Sequence, residues 1–166
     1  MGGSAAVARV LASLERREAT LAVAESLTGG LIGATIVSVP GASKVFRGGV
    51  ISYATDLKRR LLDVPEELLR REGAVHPEVA AAMAAGVARL CEATYGLAVT
   101  GVAGPDPQDG QPVGTVFAAV SGPGGKLWER PLRLEGSRER IRVETMDEAI
   151  DLLSTVLKEN KGEHFG

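Results

Sequence analysis

LAVAESLTGGLIGATIVSV, residues 21–39, passes from a short apolar run through a glycine turn into a run with helical spacing. This pattern predicts a buried strand over residues 20–24 and a helix over residues 31–39 that Pro40-Gly41 ends. Ser26 stands where the predicted strand gives way to the turn. Because ligands of open α/β sheets bind beyond the carboxyl ends of strands, Ser26 is a candidate functional residue.

Elements with the same two periodicities lie on both sides of this stretch. Predicted helices cover residues 5–17, 56–62, 65–71, 77–93 and 137–158, and predicted strands cover residues 46–54, 97–100, 113–120 and 127–134. Ser137 is the expected N-cap of the last helix, and the last two strands flank a turn rich in glycine that is typical of a hairpin. The pattern predicts an α/β fold, a single-domain layered α/β sandwich with a mixed β-sheet flanked by helices. We expect residues 1–166 to form this one domain, with a frayed tail over residues 158–166.

The composition argues against two classes of partner. The 166-residue chain carries 19 basic and 21 acidic residues, a net charge of −2, and only 4 % aromatic residues. Neither the charge nor the scarcity of stacking side chains favours nucleic-acid binding. The apolar runs are shorter than the roughly 20 residues of a membrane span, and the N-terminus MGGS lacks the pattern of a signal peptide. We therefore expect a cytoplasmic protein with neither nucleic-acid nor membrane partners.

Cysteine and histidine are too few and too dispersed for metal or triad chemistry. Cys91 is the single cysteine and lies in an alanine-rich amphipathic stretch, where we expect a small buried residue. His76 precedes a predicted helix, and His164 lies in the predicted tail. No metal-ligand spacing and no G-x-S-x-G elbow are present, so the sequence predicts no metal site and no histidine-based triad.

A nicotinamide dinucleotide cofactor is also disfavoured. Residues 28–33, TGGLIG, resemble the dinucleotide fingerprint but have Thr28 in place of its first glycine. No acidic residue ends the next predicted strand at the position that would hold a ribose. We therefore expect no cofactor.

A hydroxyl, a phenol and an amine form the only nucleophile–base set that the sequence offers. Ser26 supplies the hydroxyl, and Tyr53 and Lys58 follow the apolar run of residues 49–51. These are the parts of a serine–lysine amidohydrolase. Each also has a purely structural interpretation: Ser26 as the cap of the next helix, Tyr53 as a half-buried strand aromatic, and Lys58 as an exposed helix lysine.

A second glycine-rich stretch, TGVAGP over residues 100–105, follows a predicted strand. Glycines there, Gly101 and Gly104, allow backbone N–H groups to approach a phosphate closely. An ordinary strand-to-loop turn explains the same residues equally well.

Three arginines crowd the first turns of the last predicted helix. Arg138 and Arg142 are four residues apart and share a helix face, so they are able to clamp one anion. The alternative is a solvated charged face, and Arg140 with Glu144 fits that alternative as an i,i+4 pair.

Five segments occur in an order that resembles a known family: residues 24–30 (AESLTGG), 39–43 (VPGAS), 49–53 (GVISY), 99–105 (VTGVAGP) and 112–114 (PVG). Together they resemble the C-terminal domain of the CinA competence/damage-inducible proteins, over nearly the whole chain from about residue 7 to 157. The resemblance implies an α/β sandwich that hydrolyses the carboxamide of nicotinamide mononucleotide. The implied products are nicotinate mononucleotide and ammonia, in pyridine-nucleotide salvage.

The resemblance also implies roles for individual residues. Its catalytic serine, tyrosine and lysine fall on Ser26, Tyr53 and Lys58, and its substrate-binding threonine falls on Thr100. Its arginine-containing segment matches Gly136, Arg138 and Arg142. The chain departs from the family in residues 106–110, DPQDG, where members carry a glycine-rich loop. This loop is more acidic and stiffer, which bears on how it closes over a nucleotide.

The expected mechanism gives each group a task. Ser26 attacks the carboxamide carbon, Lys58 serves as the base if its pKa is well below the usual value, and Tyr53 orients Lys58 or relays a proton. The N–H groups around Thr28, Gly29 and Gly30 are the expected oxyanion donors. The groups expected to bind the ribose phosphate are Thr100, Gly101, Gly104, Arg138 and Arg142.

A different class of function remains open at this point: a non-catalytic nucleotide-binding or regulatory module. Such a module shares the glycine loops and arginines but needs neither Ser26 nor Lys58. In either case we expect a homo-oligomer, since small α/β proteins commonly self-associate.

Overall fold

The computed structural model describes residues 2–160, in which five strands form one sheet with helices on both faces. The strands are β1 (Leu21–Glu25), β2 (Phe46–Ile51), β3 (Tyr95–Gly101), β4 (Thr115–Ser121) and β5 (Leu127–Arg133). The α-helices are α1 (Gly2–Arg16), α2 (Leu31–Val37), α3 (Thr55–Leu62), α4 (Glu66–Glu72), α5 (Pro77–Leu90) and α6 (Arg138–Glu159). The strand order is β2-β1-β3-β4-β5, with β1 parallel to both neighbours and β4 antiparallel to β3 and β5. This mixed sheet confirms the predicted fold class.

The sheet separates two apolar cores. Along β1, Leu21 and Val23 enter the core formed with α1, α2 and α6, whereas Ala22 and Ala24 enter the core formed with α4 and α5. A strand period of two explains this division. The same alternation places Glu25 on the α2 side of the sheet, directly before the turn that holds Ser26.

Three parallel strands bring their carboxyl ends to one edge of the sheet. Ala24 pairs with Ala98 on β3, so continuing the two strands by two residues brings Ser26 level with Thr100. On the other side Glu25 pairs with Ile51, and the N–H of Ser52 donates to the carbonyl of Glu25 at 2.9 Å. The sheet therefore assembles the candidate residues from three separate segments.

Some element ends differ from the prediction. The strand predicted over residues 46–54 ends at Ile51, because the chain leaves the ladder after Ser52 and enters α3. Helix α5 ends at Leu90, and the expected burial of Cys91 is wrong, since the cysteine is only half-buried at the C-cap. Helix α6 continues to Glu159, with Ser137 as the predicted N-cap. The rest of the expected tail, including His164, lies outside the described residues.

No helix within residues 2–160 is long and apolar enough to cross a membrane.

Candidate active site

Ser26 lies in the turn between β1 and α2, and the residue before it caps that helix. Glu25 is 2 % exposed, and its carboxylate accepts from the N–H groups of Gly30 (3.1 Å), Ile32 (2.9 Å) and Gly33 (3.0 Å). The partial positive charge of the helix N-terminus and these three hydrogen bonds compensate the buried carboxylate. The interpretation of Ser26 as the helix cap is therefore wrong, and its hydroxyl serves another contact.

That contact is with Lys58, which is 1 % exposed. Lys58 Nζ donates to Ser26 Oγ at 3.0 Å, to the carbonyl of Ser52 at 2.5 Å and to the carbonyl of Tyr53 at 3.5 Å. The interpretation of Lys58 as an exposed helix lysine is wrong. Instead α3 presents Lys58 and Leu62, one turn apart, to the protein interior.

Burial lowers the pKa of Lys58 from 10.5 to about 8, because a low-dielectric environment disfavours the ammonium form. The charge of Asp109 acts in the opposite direction and raises this pKa. The acceptors that Nζ contacts within residues 2–160 are three neutral oxygens, so no carboxylate of that part of the chain holds the amine in its charged form. With a pKa near 8, roughly a tenth of the amine is neutral at pH 7.

Tyr53 contributes its backbone rather than its phenol to Lys58. The side chain is 62 % exposed, so it is not the half-buried aromatic of the structural interpretation. Its hydroxyl accepts from Arg138 Nη2 at 3.2 Å, and Arg138 Nη1 donates to the carbonyl of Gly104. The hydrogen-bond partner of the Tyr53 phenol is therefore Arg138.

A cavity of about 400 Å³ opens at this edge of the sheet, within the size range of small-molecule sites. Its walls come from the turn after β1, from residues 100–108, and from Tyr53 and Arg138. Ser26 lines the cavity, and Lys58 lies behind it. The structure thus brings Ser26, Thr100, Gly101, Gly104 and Arg138 to one place.

The hydroxyl proton of Thr100 is engaged in a hydrogen bond within the protein. The side chain is 1 % exposed, and its hydroxyl donates to the carbonyl of Ala74 at 2.8 Å. The lone pairs of the hydroxyl remain, so Thr100 is able to accept a hydrogen bond from a ligand N–H or O–H group. This geometry is suited to a carboxamide nitrogen and unsuited to a phosphate, to which we expected it to bind.

Arg142 lies behind the Ser26 turn rather than in the cavity. Its Nε donates to the carbonyl of Leu27 at 2.9 Å and its Nη2 to the carbonyl of Thr28 at 3.1 Å. The expected clamp of Arg138 and Arg142 on one anion does not form, because the Arg142 side chain is engaged with these backbone oxygens. Arg140 instead pairs with Glu144 at 2.8 Å, as its i,i+4 spacing predicts.

Two of the three expected oxyanion donors are also engaged. The N–H of Gly29 donates to the carbonyl of Ser26 at 3.1 Å, and the N–H of Gly30 donates to Glu25. The hydroxyl of Thr28 is buried and has no hydrogen-bond partner among the described residues.

The loop that departs from the family pattern is anchored. Gln108 and Gln111 exchange backbone hydrogen bonds of 3.1 and 2.8 Å, and between them Asp109 and Gly110 have positive φ angles of 50° and 74°. Two left-handed central residues with an Asp-Gly sequence are typical of a type I′ turn. The Asp109 carboxylate accepts from the N–H of Ala74 at 2.9 Å, which fixes the turn to the segment between α4 and α5.

Sequence reasoning missed Glu25 and Asp109. An acidic residue at the end of a fully apolar strand is a detectable signal for Glu25, because a carboxylate there needs donors from the following helix. The Asp-Gly pair was a detectable signal for the turn at residues 108–111.

Comparisons with known proteins identify the family of this chain. The family model of the CinA C-terminal domain matches residues 4–157. A CinA-like protein of Frankia casuarinae is 54 % identical over 148 residues, which cover 89 % of this chain and 34 % of that protein. A CinA-like protein of Myxococcus xanthus is 46 % identical over 147 residues, which cover 87 % of this chain and 34 % of that protein. The chain thus spans about a third of the length of these curated relatives.

Solved structures have the same fold. The competence/damage inducible protein CihA from Agrobacterium tumefaciens superposes with a TM-score of 0.90 at 31 % identity, covering 95 % of this chain and 96 % of that one. A CinA superfamily protein from Klebsiella pneumoniae superposes with a TM-score of 0.91 at 28 % identity, covering 96 % and 99 %. By sequence and by fold, the chain belongs to the family of CinA C-terminal domains.

Proposed function

We propose that this domain is an amidohydrolase that converts nicotinamide mononucleotide to nicotinate mononucleotide and ammonia. Ser26 is the nucleophile and Lys58 its general base. The observation that carries this proposal is the 3.0 Å contact between Ser26 Oγ and a buried lysine amine whose pKa is lowered to about 8. A nucleophile within hydrogen-bond distance of a base of lowered pKa is the arrangement that activates a serine.

The contacts of Lys58 prepare its lone pair for this task. In the neutral amine, two N–H groups donate to the carbonyls of Ser52 and Tyr53. The remaining tetrahedral direction, which holds the lone pair, then faces Ser26 Oγ. The hydroxyl proton therefore has an acceptor 3.0 Å away at the moment of attack.

The reaction follows in two half-steps. Ser26 Oγ forms a bond to the carboxamide carbon while its proton passes to Lys58 Nζ, giving a tetrahedral intermediate. Lys58 returns the proton to the amide nitrogen, the C–N bond breaks, and ammonia leaves an ester on Ser26. A water that loses its proton to Lys58 attacks the ester carbon, and the proton returns to Ser26 Oγ as the C–O bond breaks.

The cavity offers complementary groups for the rest of the substrate. Thr100 accepts a hydrogen bond from the carboxamide nitrogen, since its own proton is directed to Ala74. Arg138 supplies the cation in the cavity wall for the phosphate, with the Tyr53 hydroxyl beside it. Tyr53 thus acts at the nucleotide end, and its carbonyl helps to orient Lys58.

The decisive experiment measures ammonia and nicotinate mononucleotide formed from nicotinamide mononucleotide. Wild type is compared with Ser26→Ala and Lys58→Ala, and with the matched exposed controls Ser43→Ala and Lys44→Ala. We expect turnover in wild type and both controls and none in the two site variants, with nicotinamide riboside as a poor substrate. Binding of the mononucleotide without turnover in wild type would refute the enzymatic proposal and favour the nucleotide-binding module.

The homo-oligomeric state stays a prediction, which light scattering on the purified domain tests.

A further inference from the structure

The four residues that start with the nucleophile form a closed turn. The N–H of Gly29 donates to the carbonyl of Ser26 at 3.1 Å, so Leu27 and Thr28 occupy the two central positions. The N–H of Leu31 donates to the carbonyl of Thr28 at 3.1 Å and continues the turn towards α2. The backbone directly behind Ser26 is therefore held at both ends.

Helix α6 holds the middle of the same turn through one side chain. The fork of the Arg142 guanidinium donates to the carbonyls of both central residues, Leu27 at 2.9 Å and Thr28 at 3.1 Å. In a trans peptide the N–H points opposite to the C=O. Directing the carbonyl of Leu27 towards Arg142 thus directs the N–H of Thr28 away from it.

The N–H groups of Leu27 and Thr28 are unused donors of the turn. Among residues 2–160 no acceptor bonds to the N–H of Leu27 or of Thr28, whereas those of Gly29 and Gly30 are engaged. Leu27 also lines the cavity next to Ser26. In α/β-hydrolases, the N–H of the residue after the serine nucleophile forms part of the oxyanion hole.

We propose that the N–H of Leu27, with that of Thr28 beside it, forms the oxyanion hole, and that Arg142 is a positioning residue that orients this turn. The proposal rests on the proposed function of Ser26 as a nucleophile. It assigns Arg142 to the chemistry of the reacting carbonyl rather than to the phosphate. Arg138 then remains as the phosphate-binding arginine.

The two roles of Arg142 make opposite predictions for its variants. A phosphate-binding arginine affects nucleotide affinity, and lysine largely replaces it because the charge is kept. A positioning arginine affects the rate at which Ser26 reacts, and lysine fails because a single ammonium does not reproduce the planar fork. Arg142→Gln, Arg142→Lys and the exposed control Arg140→Gln on the same helix separate these cases.

The first measurement is the rate at which phenylmethylsulfonyl fluoride modifies Ser26, followed by intact mass. This reagent carries no phosphate, and its reaction joins Ser26 Oγ to sulfur with loss of fluoride while Lys58 takes the proton. We expect Arg142→Gln and Arg142→Lys to react at least about tenfold more slowly than wild type, given that single oxyanion donors contribute about 10²–10³ in rate. Arg140→Gln should react at the wild-type rate.

The second measurement is the affinity for nicotinate mononucleotide by calorimetry, together with kcat for the amide. We expect the dissociation constant to stay within about twofold in both Arg142 variants while kcat falls at least about tenfold. Circular dichroism melts establish that the variants are folded. If Arg142→Gln is unfolded, Arg142→Lys alone provides the comparison with wild type.

The outcomes separate this inference from the proposed function. Wild-type labelling rates in the Arg142 variants, or weaker nucleotide binding as their main defect, would each overturn the oxyanion assignment. A wild-type Ser26 that resists the reagent would refute Ser26 as the nucleophile, and the oxyanion assignment with it. Efficient labelling of Ser26 in a protein that does not turn over the mononucleotide would refute the substrate and leave the labelling rates to decide the role of Arg142.

Discussion

The charge of Asp109 raises the pKa of Lys58, in opposition to the burial that lowers it to about 8. The same carboxylate accepts a hydrogen bond from Ala74 at 2.9 Å and anchors the turn over residues 108–111. One side chain thus links the cavity wall to the proton affinity of the proposed base.

The first prediction concerns the pH profile of wild type. In the proposed mechanism, the active form of Lys58 is the neutral amine, which is lost as pH falls below a pKa of about 8. We expect kcat/KM to rise about tenfold per pH unit below pH 7 and to level off above roughly pH 9. Initial rates between pH 6 and 10 check this, and a rate that is highest near pH 6 would contradict the assignment of Lys58 as base.

The second prediction concerns Asp109→Asn. Asparagine keeps an acceptor for the Ala74 N–H but removes the charge, so the pKa of Lys58 should fall further. We expect the acid limb of the profile to move to lower pH with the plateau rate retained. Asp109→Ala loses both the charge and the hydrogen bond to Ala74. Comparing the two variants therefore separates the effect of the charge from the effect of the anchored turn. An acid limb at the wild-type pH in Asp109→Asn would show that this charge does not act on Lys58.

The third prediction concerns Lys58→Met. A lysine whose folded pKa is lowered binds fewer protons in the folded state, so it costs stability below about pH 8, and this cost disappears as pH rises through 10.5. We expect the substitution to raise the free energy of unfolding by about 1–3 kcal/mol at pH 7, while activity is lost.

Urea unfolding of Lys58→Met and wild type at pH 7 and pH 10 measures this effect. The gain should shrink at the higher pH. Destabilisation at pH 7 would mean that the unpaired carbonyls of Ser52 and Tyr53 outweigh the burial of the amine.

The fourth prediction concerns Glu25→Gln. The glutamine amide places an NH₂ group against the N–H of either Gly33 or the pair Gly30 and Ile32, leaving at least one buried donor without an acceptor. We expect a loss of about 1–3 kcal/mol in the free energy of unfolding and a lower kcat, because the same donors define the Ser26 turn. The isosteric change at an exposed site, Glu15→Gln, is the control for general effects of charge.

Local patterns predicted the elements well, and with them the position of Ser26 at the end of a strand. The strand over residues 21–25 and the glycine turn are set by neighbours in sequence, so Ser26 at their junction follows from periodicity alone. The burial of Lys58 does not follow in this way, since the segment TDLKRRLL is charged and its inward face is decided by packing on α5. The one local indication that Lys58 is buried is Leu62, an apolar residue on the same helix face.

The contacts of Arg138 and Arg142 could not be predicted from the sequence. Helical spacing predicts that Arg138 and Arg142 share one face of the helix, but it does not predict their partners, which lie far away in the chain. Arg142 meets carbonyls 114 and 115 residues earlier, and Arg138 meets the hydroxyl of Tyr53, 85 residues earlier. Only the docking of α6 on the sheet decides which arginine faces the cavity.

The proposed nucleophile depends on both helical layers of the sandwich. Its base comes from α3, which carries Leu62 into one apolar core, and its backbone turn is held by α6, which carries Ile141 into the other. In an intermediate with only one layer docked, one of two contacts is therefore missing. Either Ser26 lacks the amine of Lys58, or the turn that holds Ser26 lacks the hydrogen bonds of Arg142. The proposed catalysis therefore requires both layers, and we expect no ammonia release from a form in which only one of them has docked.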